Sequence, residues 1–115
     1  MTLSDFYARL GGSCDAVLKR IPSEQMLRKF LKMYEKDPSY AQLTEAVKAG
    51  DWQSAFRAAH TLKGVAQNLG LDRLHQRASA LTEALRGAKP LDDPALLDAV
   101  SQAHTETLSA LHALD

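Results

Sequence analysis

The chain has 115 residues, 14 Lys and Arg against 14 Asp and Glu, and 45% hydrophobic side chains. At roughly 100–200 residues per domain it is read as a single domain, residues 1–115, which excludes an enzyme built from separate nucleotide and substrate domains. With the charges in balance there is no bulk field to draw in nucleic acid or an anionic membrane surface, so neither is an expected partner and any charged partner is recognised locally.

Gly and Pro are few and coincide with capping residues, so the punctuation is helical. Ser4 is expected to cap a short first helix closing near Gly11-Gly12, and residues 15–21 to add a turn or two before Pro22. Ser23 opens a helix to about residue 36, with Met26, Leu27, Phe30, Met33 and Tyr34 at the spacing of a buried face. Asp37-Pro38 interrupts it: Asp as a cap followed by Pro restarts a helix over 38–49, either a separate helix or a kinked continuation, with Leu43 and Val47 inward. Gly50 stops that helix and Asp51 caps the next, which runs over residues 52–69 and ends at Asn68-Leu69-Gly70. Leu71, Leu74, Ala78, Leu81 and Leu85 stripe the following helix, which closes at Gly87. After Pro90, Asp93-Pro94 repeats the cap signal for a terminal helix of about five turns, lined by Leu97, Val100, His104, Leu108 and Leu111.

Nothing alternates with period two, and Val, Ile and Thr are not clustered, so the fold class is all-α. Amphipathic helices on short connections bury their stripes against sequence neighbours, which predicts an antiparallel up-and-down four-helix bundle with additional short N-terminal helices packed across it. Residues 1–22 form the N-terminal helical segment and residues 23–115 the bundle. Cys14 is the one cysteine, so neither an intramolecular disulfide nor a thiolate zinc cluster is expected and the setting is read as a reducing cytoplasm. Residues 1–6 carry no secretory leader pattern, and no run of about eighteen apolar residues points to a membrane span.

The helix over 52–69 carries the chemistry. With His60 at zero on a wheel of ~100° per residue, Ala55, Ala59, Leu62, Ala66 and Leu69 fall between roughly 180° and 260°, and Lys63, Gly64 and Gln67 lie within about 60° of His60. His60 is therefore on the face opposite the core. A glycine inside a helix costs ~1 kcal/mol relative to Ala, and the stripe continues past Gly64 to Leu69, so Gly64 calls for a reason outside the helix. Close approach supplies it: without a Cβ one turn beyond His60, a second protein's active site can descend onto the imidazole. Lys63 can then neutralise an anion on the ring. An imidazole with an ordinary pKa near ~6.5 is largely neutral at cytoplasmic pH and is an adequate nucleophile towards an activated phosphoryl group.

The run Ala59-His60-Thr61-Leu62-Lys63-Gly64-Val65-Ala66-Gln67-Asn68-Leu69-Gly70-Leu71 resembles the signature of histidine-containing phosphotransfer (HPt) domains of two-component phosphorelays. The resemblance extends through Asp37-Pro38-Ser39-Tyr40 and from Ala46 to Arg86, and the family's four-helix bundle matches the helix order above. It implies that His60 is the phosphoryl acceptor, that Lys63 stabilises the phosphate and that Gly64 gives steric clearance. It further implies receiver domains of response regulators as partners, with a hybrid histidine kinase as a further one, and Mg²⁺ supplied by the receiver and not by this chain. Thr82 stands where many members have a Glu or Gln that orients the imidazole by a hydrogen bond, with Glu83 next to it.

Phe56 and Gln67 are further candidates for contact with a partner. Trp52 and Phe56, at i and i+4, either form an apolar docking patch or pack against residues 23–49. His75, His104 and His112 share no face with a carboxylate in the manner of a helical zinc site, so no metal site is expected. Without Walker-A glycines or a Gly-rich ATP lid the chain is read as a phosphoryl carrier, not an autonomous kinase, acting as a monomer. The competing reading is a helical adaptor that docks signalling proteins without phosphotransfer.

Overall fold

Local capping chemistry sets where the helices begin. The computed structural model describes residues 1–114, and among them the helices are α1 (Leu3–Arg9), α2 (Cys14–Arg20), α3 (Glu24–Tyr34), α4 (Ser39–Ala49), α5 (Trp52–Asn68), α6 (Asp72–Ala84) and α7 (Pro94–Ala113). The side chains of Ser13, Ser23, Asp51 and Asp93 each accept a backbone N–H two or three residues on, satisfying donors that have no partner within the helix. In α1 the cap is Thr2 instead of Ser4: the Asp5 N–H donates to the Thr2 hydroxyl at 3.1 Å, so the helix takes in Leu3, which is buried. Asp37 accepts from the Ser39 N–H at 2.8 Å, and Pro38 precedes the first residue of α4. Helix α3 has already stopped at Tyr34, so α3 and α4 are separate helices. Gly50 and Gly70 end α4 and the turn after α5 with φ of 71° and 68°, a conformation that costs a residue with a Cβ.

Helix α4 packs on α5, α5 on α6 and α6 on α7. The direction of α6 against α7 is read from its side chains: Arg73 meets Glu106 while Arg77 meets Ala99 and Gln102, so numbers rise on one helix as they fall on the other. The circle closes where the Tyr40 and Ser101 hydroxyls, on α4 and α7, are 2.6 Å apart. The result is the expected antiparallel all-α bundle. Beyond the break at residues 35–38, α3 continues the α4 side and joins α7 through Tyr34, whose hydroxyl is hydrogen-bonded to His104 Nδ1 at 2.7 Å.

The short helices α1 and α2 clamp the turn between α5 and α6. Leu3, Phe6, Tyr7, Leu10 and Val17 are buried in the same cluster as the bundle core. The Tyr7 hydroxyl donates to the Leu69 carbonyl at 2.6 Å, and burial pushes its pKa well above the ordinary phenol value, so it remains a donor. A carbonyl that α5 leaves open at its C-terminus is thereby satisfied. Close packing makes this turn intolerant, since a Cβ on Gly12 would lie 2.8 Å from the Gly70 carbonyl oxygen and one on Gly70 would collide with Val17 Cγ2.

Two predicted faces are rotated in the structure. On α3 the inward row is Leu27, Leu31 and Tyr34, while Met26 and Met33 are 49% and 58% exposed and Phe30 is half-buried. Both rows obey helical spacing, and only the packing partner selects between them. On α7 the buried row is Val100, Ala103, Thr107, Ala110 and Leu111, with Leu97, His104 and Leu108 half-buried. Thr107 can enter because its hydroxyl donates to the Ala103 carbonyl at 2.8 Å.

Gly70→Ala is expected to lower stability by about 2–4 kcal/mol in urea unfolding, the sum of left-handed backbone strain and overpacking against Val17. His104 supplies a pH test. Its ring is half-buried and stacked on Tyr40 at 3.9 Å, and burial holds its pKa below the ordinary histidine value. The unfolded chain takes up that proton near ~6.5 and the native state only at lower pH, so the contribution is full above the unfolded value and is lost as pH falls towards the native one. Unfolding midpoints should fall over that window, and more steeply in the native sequence than in His104→Gln.

Candidate functional site

The rotation of α5 follows from its small inner residues. Ala55, Ala58, Ala59, Leu62 and Ala66 are buried between the neighbouring helices, which leaves His60 exposed on the far side with Gln67. Lys63 and Gly64 are partly exposed beside it. A Cβ built on Gly64 would meet nothing within 4 Å, and Gly64 does not have the positive φ of Gly50 or Gly70. Nothing inside the molecule therefore requires a glycine there.

Helix α6 backs this face. His75 donates from Nδ1 to the Lys63 carbonyl at 3.1 Å, and because a carbonyl only accepts, the bond places the His75 proton on Nδ1. Glu83 receives Arg86 at two points, Nε at 3.0 Å and Nη2 at 2.7 Å. That hydrogen bonding holds the Glu83 carboxyl below the usual carboxylate range, and the Lys63 charge adds to the effect. The Arg86 guanidinium lies over the Phe56 ring, 5.5 Å from its centroid. Phe56 in turn stacks on His60, with ring centroids 6.1 Å apart and planes 9° from parallel.

Of the residues singled out from the sequence, Phe56, His60, Lys63, Gly64 and Gln67 share one side of α5. Thr82 does not join them. It is fully buried, and its hydroxyl donates to the Ala78 carbonyl at 2.7 Å, so it neither borders a partner nor reaches the imidazole. Glu83, its neighbour, is engaged by Arg86. Trp52 and Phe56 are half-buried against the core. The contribution of Arg86 was not legible in the sequence: its i, i+3 spacing from Glu83 signals a surface pair, but no spacing reports that the guanidinium crosses to a ring on another helix.

The site is an open surface. A cleft of about 750 Å³ elsewhere on the molecule is lined by Ile21, Phe30, Met33, Val65 and Leu69 among others, and His60, Lys63 and Gly64 are not among its walls.

The bundle thus displays a histidine, a lysine and a helical glycine with no internal reason on one open face. The sequence matches the profile of the Hpt domain over residues 25–114, and the chain belongs to the Hpt domain family. Hpt domains are phosphocarrier modules of two-component phosphorelays, not kinases. The match leaves α1 and α2 outside it. No curated protein and no solved structure gives a match. Among the described residues no helix is long and apolar enough to cross a membrane.

Thr82 yields a test of its burial. Thr82→Gln is expected to lower stability by about 1–3 kcal/mol in chemical denaturation, the effect of overfilling a packed core. It should not speed any reaction of His60. Thr82→Val should leave such a reaction within about tenfold of the native rate, a difference of ~1.4 kcal/mol.

Proposed function

We propose that this protein accepts a phosphoryl group on His60 from the aspartyl phosphate of a receiver domain and passes it to another receiver. The observation that carries the reading is the open space over Gly64, one turn from the exposed His60. A helical glycine unexplained from within is explained by a partner that must come close from without.

In the forward step the lone pair of an imidazole nitrogen attacks phosphorus and an N–P bond forms. The P–O bond of the acyl phosphate breaks, its electron pair stays on the receiver's carboxylate, and the proton on the other ring nitrogen is free to leave to solvent. The return step reverses these changes on a second receiver. Lys63 offsets the charge of the phosphoryl oxygens in transit, where a cation is worth most. Gln67, exposed beside His60, borders the approach. The Mg²⁺ is assigned to the receiver, as membership of the Hpt family implies. A hybrid histidine kinase carrying a receiver is a further partner of the same chemistry.

The test is incubation with receiver domains charged on aspartate by acetyl phosphate. Label should move to the chain, be lost in acid and survive alkali, as a phosphoramidate does. His60→Gln should take none, and a folded His60→Gln variant that is labelled would sink the assignment. Lys63→Ala should slow single-turnover transfer by about tenfold to a hundredfold, ~1.4–2.8 kcal/mol, with little change in receiver binding. Gly64→Gln should keep its helicity by circular dichroism yet raise the half-saturating receiver concentration about tenfold, a loss of ~1.4 kcal/mol. A receiver that binds tightly and transfers nothing would instead favour an adaptor.

A further inference from the structure

A histidine that must deliver a lone pair in line with a breaking P–O bond needs its ring held, because rotation about the Cβ–Cγ bond turns the nitrogen away. Helix α6 forms no hydrogen bond to His60 among the described residues: the Thr82 hydroxyl donates to Ala78 and the Glu83 carboxylate accepts from Arg86. The ring stacked on the imidazole is Phe56, one turn earlier on α5. Two rings at 6.1 Å with planes 9° apart are an offset stack, and rotating one of them breaks the parallel contact.

Phe56 is itself fixed from two sides. It is half-buried against the core, and Arg86 covers its ring at 5.5 Å. Arg86 in turn presents its Nε–Nη2 edge to both oxygens of Glu83, a two-point contact that fixes the orientation of the exposed guanidinium. The chain of contacts Glu83, Arg86, Phe56, His60 therefore runs from the last turn of α6 to the reacting ring, crossing between helices through Arg86 and Phe56.

We propose that Phe56 is a positioning residue for phosphotransfer: stacked on His60 and steadied by the Glu83–Arg86 pair, it sets the plane of the imidazole in place of a hydrogen bond from α6. The proposal rests on His60 being the phosphoryl acceptor. It gives Phe56 a role in the transfer step itself, as distinct from receiver docking.

Three measurements test it. In the unphosphorylated protein, the His60 ring-proton resonances should move downfield in Phe56→Leu as the ring current is lost, and stay near their native positions in Phe56→Tyr. Single-turnover transfer from an acetyl-phosphate-charged receiver should fall about three- to tenfold at saturation in Phe56→Leu, with the half-saturating concentration unchanged. Phe56→Tyr should recover most of the rate, and Arg86→Met should show a smaller loss of the same kind. With phosphoramidate as a small donor, which can approach the ring in any rotamer, Phe56→Leu and native protein should be labelled equally fast. Unmoved His60 resonances would overturn the stack. A loss confined to the half-saturating concentration would make Phe56 a docking residue and overturn the positioning role, as would an unchanged transfer rate, and each of these leaves the acceptor role of His60 standing. Labelling of His60→Gln would remove both readings together.

Discussion

The rotation of α5 about its own axis is the constraint from which the rest of the structure follows. Ala55, Ala58, Ala59 and Ala66, with Leu62 among them, let α4 and α6 approach closely and bury this face completely. A helix seated by small side chains on two neighbours has little freedom to turn, because a rotation would drive bulkier residues into a space the size of a methyl group. Since the inner face is fixed, so is the outer one, and His60, Lys63, Gly64 and Gln67 project from it. The ends of α5 are held as firmly. Asp51 caps the first turn, and at the other end Tyr7 binds the Leu69 carbonyl while Gly70 turns the chain against Val17. Helices α1 and α2 thus contribute to the site by holding the turn that sets α6 beside α5, and Arg20 of α2 also donates to the Gln67 carbonyl at 3.1 Å.

Helix α6 then decides the electrostatic character of that surface. Glu83 is near enough to Lys63 to feel its charge, yet its hydrogen bonds go to Arg86. The pair is exposed, and as an isolated ion pair it contributes little to stability. Its consequence is local: one carboxylate is neutralised and one guanidinium is parked over Phe56. The face left for an incoming anion has Lys63 and the Arg86–Phe56 edge around the imidazole. On the function proposed above, the partner brings the phosphoryl group and the geometry around it. On the same proposal the carrier supplies a nucleophile, a counter-charge and room.

Much of this was legible in the sequence because it is written in short-range chemistry. Ser23, Asp51 and Asp93 announce helix starts through side-chain oxygens that bind their own backbone, and Gly50 and Gly70 announce stops through a conformation few other residues adopt. The alanine and leucine spacing on residues 52–69 gives both the core face of α5 and the face opposite it, so the grouping of His60, Lys63, Gly64 and Gln67 needs no tertiary information. Where two candidates compete, local chemistry stops being decisive. Thr2 and Ser4 can each cap a first turn, and the choice falls to the helix that brings Leu3 into the core. On α3 the rows Met26-Phe30-Met33 and Leu27-Leu31-Tyr34 have equal claim to the interior.

What the sequence by itself determined is therefore the helical class, the capped boundaries and the content of the His60 face, all fixed by interactions within a few residues along the chain. What only the tertiary structure decided is which way neighbouring helices turn towards that face. Thr82 could have faced His60 or the core, and packing of Leu81 and Leu85 beside it, with a hydroxyl able to satisfy itself on Ala78, places it inside. Arg86 could have remained a solvated surface charge paired with Glu83. It lies over Phe56 because α6 crosses α5 at that register, and register between helices is set by the fit of whole faces, which no single residue and no local spacing encodes.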